Sequence, residues 1–244
     1  MWKPSRPDPA DIVRLNEVRK EFDLTPLVIH DSYLINLASC EAPIRSQSIA
    51  ALRGEIERAI AIGAEYLVMH PGHCKGQTLE QGLMNVIEGL TEAAAGLSSE
   101  TLTLLLENTV GASGQIGGRF EELAVIRNFA RERIEMAIGY CLDTCHCYAS
   151  GNYNVATSDG LRATVKAATE VLGIDHVRVI HANDSKGGFD SGQDRHDNLG
   201  SGKIDPELVV AAIRAAGAPA VVETPGGVEG QTADIALLRE RAGR

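Results

Sequence analysis

The sequence predicts an α/β fold, a TIM-type βα barrel that lacks its first two strands. Short apolar runs rich in Val, Ile and Leu recur along the chain and are typical of buried parallel strands. These runs lie at 27–29, 66–69, 102–106, 136–142, 177–180 and 220–222. The residues that follow them are spaced at intervals of 36 to 42 positions. Such a steady period indicates one repeated βα unit.

Helical patterns separate the predicted strands, and one more precedes the first strand. They cover 8–22, 46–61, 78–97, 119–131, 158–172 and 206–216. No G-x-G-x-x-G motif follows a strand, which disfavours a dinucleotide-binding sheet. A complete barrel needs eight strands, whereas six are found here. We therefore expect one incomplete barrel domain over residues 1–244.

Composition limits the classes of protein that remain. A chain of 244 residues that is 44% hydrophobic can build one substantial core. No secretory signal and no apolar stretch of roughly 18 residues is present, so we expect a soluble, cytoplasmic monomer without a membrane partner. Five cysteines form no regular framework and are interpreted as reduced thiols. The net charge of −10 argues against a nucleic-acid partner unless bound cations reverse the local field.

Each predicted strand ends at a nitrogen or oxygen donor. The six donors are His30, His70, Glu107, Asp143, His181 and Glu223. A single polar residue after a strand is usually an ordinary hydrogen-bonded side chain. Six at the mouth of one barrel would repel each other or be desolvated unless cations gathered them, so the pattern predicts a metal cluster.

Further donors follow in the loops. His146 lies three residues after Asp143, and Asp194 and His196 lie on one side of an extended loop. The resulting nine candidate ligands mix imidazole and carboxylate groups, which suits zinc or manganese and the hydrolysis of phosphate esters. A thiolate or iron–sulfur site at Cys141, Cys145 and Cys147 would lack a second cysteine group. His73 is either a neighbour of the cluster or a surface residue, and His176 begins a strand at the opposite face.

Six segments resemble the endonuclease IV family of abasic-site endonucleases, in order and from Trp2 onward. They are HDSYLINLAS (30–39), MHPGH (69–73), LLENTVG (105–111), CLDTCHCYASG (141–151), VIHANDSKGGFDSGQDRHDNLGSGKI (179–204) and VVETPG (221–226). The resemblance implies a βα barrel with three zinc ions, one of them replaceable by manganese. It also implies that hydroxide activated by the metals hydrolyses the phosphodiester 5′ to an abasic site and leaves a 3′-OH.

The resemblance also implies a role for each ligand. His30 and His70 would hold the first metal, and Glu107, the catalytic residue, would bridge it to the second. Asp143, His181 and Glu223 would complete the second site. His146, Asp194 and His196 would bind the third metal.

The implied partner is double-stranded DNA with a flipped-out abasic nucleotide. Tyr33 and Leu34, shortly after His30, would fill the gap in the duplex, unless they are ordinary packing residues. Lys186 and Arg195 would contact phosphate oxygens, unless they are solvated loop charges.

The front of the chain departs from the family pattern. Family members begin with two strands, whereas this chain begins within the turn that follows them, at Met1 and Trp2. We expect the coding sequence to continue upstream by roughly 40 residues, enough for two short βα connections. Two other readings remain: a metal-dependent sugar isomerase or epimerase on the same barrel, and an inactive truncated remnant.

Overall fold

The computed structural model describes residues 7–243, so Met1 and Trp2 lie outside the described residues. The chain divides into two compact units. The first unit holds the residues up to Leu106 together with Val125–Gly139, and the second holds Glu107–Ala124 together with the residues from Tyr140 onward. That the chain forms one domain over 1–244 stays a prediction.

The first unit is a parallel sheet with helices between its strands. Its helices are α1 (Pro9–Glu21), α2 (Ala42–Ile62) and α3 (Leu79–Ala94), and its strands are β1 (Val28–His30), β2 (Tyr66–Met69) and β3 (Ser98–Glu107), whose last residue belongs to the second unit. The strand order is β1-β2-β3, with Val28 opposite Tyr66 and Leu67 opposite Leu104. Leu67 and Leu104 are fully buried and anchor the core of this unit.

Local capping explains where several helices begin and end. The side chain of Asp8 accepts the N–H of Ala10 at 2.8 Å at the start of α1. Thr78 and Gln81 form a reciprocal capping box at the start of α3. At the end of α2, Gly63 adopts the left-handed conformation (φ 68°) that closes a helix without steric cost to a side chain.

Helix α4 (Phe120–Ala130) and strand β4 (Glu135–Asp143) run through both units. The second unit adds helices α5 (Thr144–Ala149), α6 (Ser158–Val171), α7 (Pro206–Ala216) and α8 (Gly227–Ala242), and strands β5 (Val177–His181), β6 (Asp184–Ser185), β7 (His196–Asp197) and β8 (Ala220–Val221). Strands β4, β5 and β8 pair in parallel, with Asp143 opposite His181 and His181 opposite Val221. Strands β6 and β7 form a separate antiparallel ribbon.

The six predicted strands and six predicted helices are all present, with some shifted boundaries. Strand β3 begins at Ser98 rather than at Leu102, because its first four residues are polar and largely exposed and give no apolar signal. The helix predicted over 78–97 ends at Ala94, before Gly96 adopts a left-handed conformation (φ 70°). The loop predicted to be extended at 194–196 contributes His196 to β7, and His176 lies in a 3-10 turn just before β5.

Among residues 7–243, no helix has both the length and the apolar character needed to cross a bilayer.

Candidate metal centre

In the second unit, four of the predicted strand-end donors converge. Glu107, Asp143 and His181 are the last residues of β3, β4 and β5, and Glu223 lies two residues after β8. One ligand atom of each lies within 4.8 Å of those of the others. His181 Nδ1 is 3.0 Å from both Glu107 Oε1 and Glu223 Oε2. The parallel register brings these side chains to one edge of the sheet, and we call them the strand-end group.

A second set of donors overlaps with this group. Asp143, His146 and His196 each place a ligand atom within 4.8 Å of the other two. Asp194 Oδ1 lies 3.2 Å from His146 Nε2 and 3.3 Å from His196 Nε2. We call Asp143, His146, Asp194 and His196 the loop group. Asp143 belongs to both groups, whereas the family resemblance implies that it holds one metal.

The imidazoles of the loop group are oriented by backbone carbonyl oxygens. His146 Nδ1 is 2.9 Å from the backbone oxygen of Asn108, and His196 Nδ1 is 3.3 Å from that of Glu223. A carbonyl oxygen can only accept, so Nδ1 is the donating nitrogen and Nε2 is the nitrogen that could coordinate a metal. Both Nε2 atoms lie beside Asp194, which is the arrangement expected around a shared cation.

In the first unit, His30 and His70 face each other. Their ring centroids are 5.2 Å apart in an edge-to-face arrangement. His30 Nδ1 donates to the backbone oxygen of Asp31 at 2.9 Å, so Nε2 is the nitrogen that could coordinate a metal. His73 is held instead by Asn36, whose Oδ1 accepts the backbone N–H of His73 at 2.9 Å. His73 belongs to none of the ligand groups found among the described residues.

Two buried asparagines, which sequence reasoning missed, orient Asp143. Asn108 Oδ1 accepts the backbone N–H of Asp143 at 2.7 Å. Asn183 donates from Nδ2 to Asp143 Oδ2 at 2.5 Å, and its Oδ1 accepts the backbone N–H of Glu223 at 2.8 Å. The hydroxyl of Thr144 donates to the backbone carbonyl oxygen of Asn183 at 2.6 Å. These contacts fix the carboxylate that both ligand groups share. The one available signal was position, since both asparagines follow a strand-end ligand within two residues.

The carboxylates of the centre attract protons to its histidines in the metal-free chain. Burial opposes the charged form of His146, yet the charge of Asp143 and hydrogen bonds to Asp194 and Glu107 hold its pKa well above the usual value. Burial likewise opposes charge on His196, and Asp143 and Asp194 raise its pKa to about 9. The site therefore has an excess of negative charge that a cation would neutralise, which fits a metal-binding role.

The candidate DNA-contacting residues are accessible to differing extents. The side chain of Tyr33 is 91% exposed, and Leu34 is half-buried. Arg195 is exposed, and its backbone oxygen accepts the N–H of Lys186 at 2.9 Å. The Lys186 ammonium lies 3.9 Å from Asp197 Oδ1. Tyr33 has the exposure that a side chain entering a duplex would need. Lys186, in contrast, already makes a weak ion pair with Asp197.

The five cysteines are free, as expected for reduced thiols. Cys141 lies within 4.8 Å of the ligand atoms of Glu107 and His181. Burial is the main reason that its pKa rises to about 12, and burial also raises the pKa of Cys145 to about 12.

Thiol labelling should distinguish Cys40 from the other cysteines. Cys40 is exposed, whereas Cys74, Cys141, Cys145 and Cys147 are buried. We expect a colorimetric thiol reagent to modify one cysteine per native chain rapidly and all five in guanidinium, because attack requires an accessible thiolate. A Cys40→Ser variant, used as the control, should lose the rapid phase. Rapid modification of two or more cysteines in the native chain would contradict this.

The chain matches the xylose isomerase-like TIM barrel family over residues 2–241. A probable endonuclease 4 from Solibacter usitatus is 49% identical over 228 residues, which cover 92% of this chain and 78% of that protein. A probable endonuclease 4 from Halothermothrix orenii is 35% identical, covering 97% of this chain and 84% of its own.

Solved structures agree with these sequence matches. The crystal structure of endonuclease IV from Thermus thermophilus superposes with a TM-score of 0.84 at 33% identity, covering all of this chain and 85% of its own. A D-tagatose 3-epimerase-like protein gives a TM-score of 0.72 at 21% identity over 97% of this chain and 84% of its own, a likeness of fold alone. The predicted TIM-type βα fold is thereby confirmed.

Proposed function

This chain belongs to the endonuclease IV family of TIM-barrel proteins, and we propose that it is a metal-dependent DNA-repair endonuclease. Its reaction would be hydrolysis of the phosphodiester 5′ to an abasic site in double-stranded DNA, leaving a 3′-OH. The observation that carries the proposal is the convergence of the strand-end group and the loop group on one shared carboxylate, Asp143. Donors gathered in this way suit adjacent cations better than a single isolated one.

The donor sets fit three divalent ions, with zinc foremost and manganese possible at one position. His30 and His70 would hold one ion, the strand-end group a second, and His146, Asp194 and His196 a third. Such ions, when bound, supply Lewis acidity and lower the pKa of water, which is the chemistry that phosphodiester hydrolysis requires. The imidazole and carboxylate composition of the sets is the one that zinc prefers among proteins without a cysteine-rich site.

The protein's own residues would hold these ligands in place and exclude water. Glu107 and Asp143 are fully buried, so their charges act in a medium of low polarity where electrostatic forces are strong. Asn108 and Asn183 fix the orientation of Asp143, and backbone carbonyls fix the rings of His146 and His196, as described above. Preorganisation of this kind lets a site stabilise developing charge without rearrangement.

The proposed substrate would be recognised through contacts to the DNA phosphates and through the absence of a base. Arg195 and Lys186 would bind phosphate oxygens, contacts that position a duplex without reading its sequence. Tyr33 and Leu34 would occupy the space left when the abasic nucleotide leaves the stack, a step that costs least where no base is paired. Three divalent cations would offset part of the net charge of −10 at the place where DNA binds.

Incision of a defined duplex tests the proposal directly. The zinc-loaded chain should cut a duplex with one abasic site on its 5′ side, and a polymerase should extend the product from its 3′-OH. An undamaged duplex of the same sequence is the control and should stay intact. Elemental analysis of the same preparation should find about three divalent ions per chain. Absence of incision, or epimerisation of a ketose by a chain with one ion, would refute the assignment.

A further inference from the structure

The Asp184 carboxylate is fully buried and accepts only backbone hydrogen bonds among those resolved in the described residues. Oδ1 accepts three N–H groups and Oδ2 accepts two, at distances from 2.7 to 3.1 Å. The donors are Ser185, Lys203 and Ile204 to Oδ1, and Gly200 and Gly202 to Oδ2. A buried carboxylate is costly unless hydrogen bonds satisfy its charge, and here five backbone donors do so.

These hydrogen bonds join two parts of one loop. Asp184 begins β6, where it lies opposite Asp197, and Ser185 lies opposite His196. The other four donors, from Gly200 to Ile204, belong to the turn that follows β7. The Asp184 carboxylate therefore closes the base of the hairpin 184–197, which carries Asp194 and His196 at its returning end.

The turn is shaped to bring its backbone close to this carboxylate. A Cβ atom at Gly202 would overlap the Ser185 carbonyl oxygen and Asp184 Oδ1. Lys203 also donates its N–H to the Ser185 oxygen at 3.0 Å. The close approach therefore requires glycine at 202, and it ties the turn to β6 at two points.

Asp184 and its neighbour Asn183 act on different parts of the centre. Asn183 donates to Asp143 Oδ2 within the ligand groups, whereas Asp184 binds the turn 200–204. Two of the four loop-group donors, Asp194 and His196, come from the hairpin that Asp184 closes. The strand-end group comes instead from the ends of sheet strands and from Glu223.

We infer that Asp184 is a positioning residue that sets the geometry of the ion held by His146, Asp194 and His196, while leaving the strand-end group unaffected. The inference rests on the proposed function, because it presumes that the loop group binds a cation. Ligands on loops are less accurately placed than ligands on strands, so a loop site depends on the contacts that fix the loop. The loss of supporting contacts around metal ligands typically weakens metal binding by about 10–100-fold.

The test compares zinc release from four zinc-loaded variants across chelators of increasing affinity. In Asp184→Asn, an amide group would face backbone N–H groups and at least two of the five hydrogen bonds would be lost. We expect one ion to be removed by a chelator whose zinc affinity is about 10–100-fold lower than the unmodified chain requires. The other ions should be released as in the unmodified chain. His146→Ala identifies the ion concerned, and the double variant should release no additional ion.

Glu122→Gln is the matched control. Glu122 also accepts a backbone N–H from a loop of the second unit, that of Gly117 at 2.6 Å, and it is not itself a member of the loop group. Its zinc release should equal that of the unmodified chain. If Asp184→Asn fails to fold by circular dichroism, Gly202→Ala disturbs the same contact from the opposite partner and should release the same ion.

The outcomes separate the two proposals. Release of all ions together from Asp184→Asn, or release identical to that of the unmodified chain, would overturn the role of Asp184. If the unmodified chain binds fewer than three ions, the metal count of the proposed function is wrong. The inference on Asp184 is then still decided by whether Asp184→Asn and His146→Ala lose the same ion.

Discussion

Replacing Glu107 with Gln is expected to lower the rate of incision by about 1000-fold or more, equivalent to roughly 4 kcal/mol of transition-state stabilisation. Glu107 is fully buried, and Oε1 lies 3.0 Å from His181 Nδ1 and 3.3 Å from His146 Nδ1. Its carboxylate therefore contacts a member of the strand-end group and a member of the loop group. Gln has the same shape but no charge, so the strand-end group loses one of its carboxylates and His146 of the loop group loses an anionic neighbour.

DNA binding by the same variant should change little. The residues proposed to contact phosphate, Lys186 and Arg195, lie in the hairpin 184–197 and are not altered. Single-turnover incision and fluorescence anisotropy on the same abasic duplex measure the two effects separately. Glu135→Gln is the control, since Glu135 is an exposed carboxylate at the first residue of β4, and it should match the unmodified chain. Equal losses in binding and incision by Glu107→Gln would contradict the assignment.

The ligand residues at the strand ends could be predicted from the sequence because each of them directly follows an apolar run. Parallel strands present their carboxyl ends at one edge, so His181 and Asp143 were expected to meet, and the register now places them opposite each other. The double membership of Asp143 could not be predicted. It depends on the direction in which α5 and the hairpin 184–197 return, and no periodic pattern in the sequence encodes that direction.

The residues that support the ligands gave no signal of their own. Asn183 and Asp184 are polar residues after a strand, and their partners at 143, 200 and 223 are remote in sequence. Helix α8 was missed for a related reason: within it Asp234 is the one buried residue, so it has no apolar stripe to recognise. Helix α5 is six residues long, too short for a periodic pattern to appear.

Removal of zinc is expected to lower the thermal stability of the chain as well as its activity. Glu107 and Asp143 are fully buried, and in the metal-free chain protons on His146, His181 and His196 offset part of the charge of these carboxylates. A ligand present at about 1000 times its dissociation constant adds roughly 4 kcal/mol to the free energy of unfolding for each site. For a chain of this size that corresponds to a rise in Tm of about 8–16 °C per ion.

Differential scanning fluorimetry of chelator-treated protein, with and without added zinc, measures this shift. Magnesium should not restore stability, because it prefers oxygen ligands over imidazoles. Two histidines at opposite ends of β5 provide matched variants. His181→Gln, at the end of the strand within the ligand group, should lose much of the zinc-dependent rise, whereas His176→Gln, just before the strand begins, should keep all of it. An equal response in the two variants would mean that zinc acts elsewhere on the chain, since the donors that we assign to the centre are found at only one end of this strand.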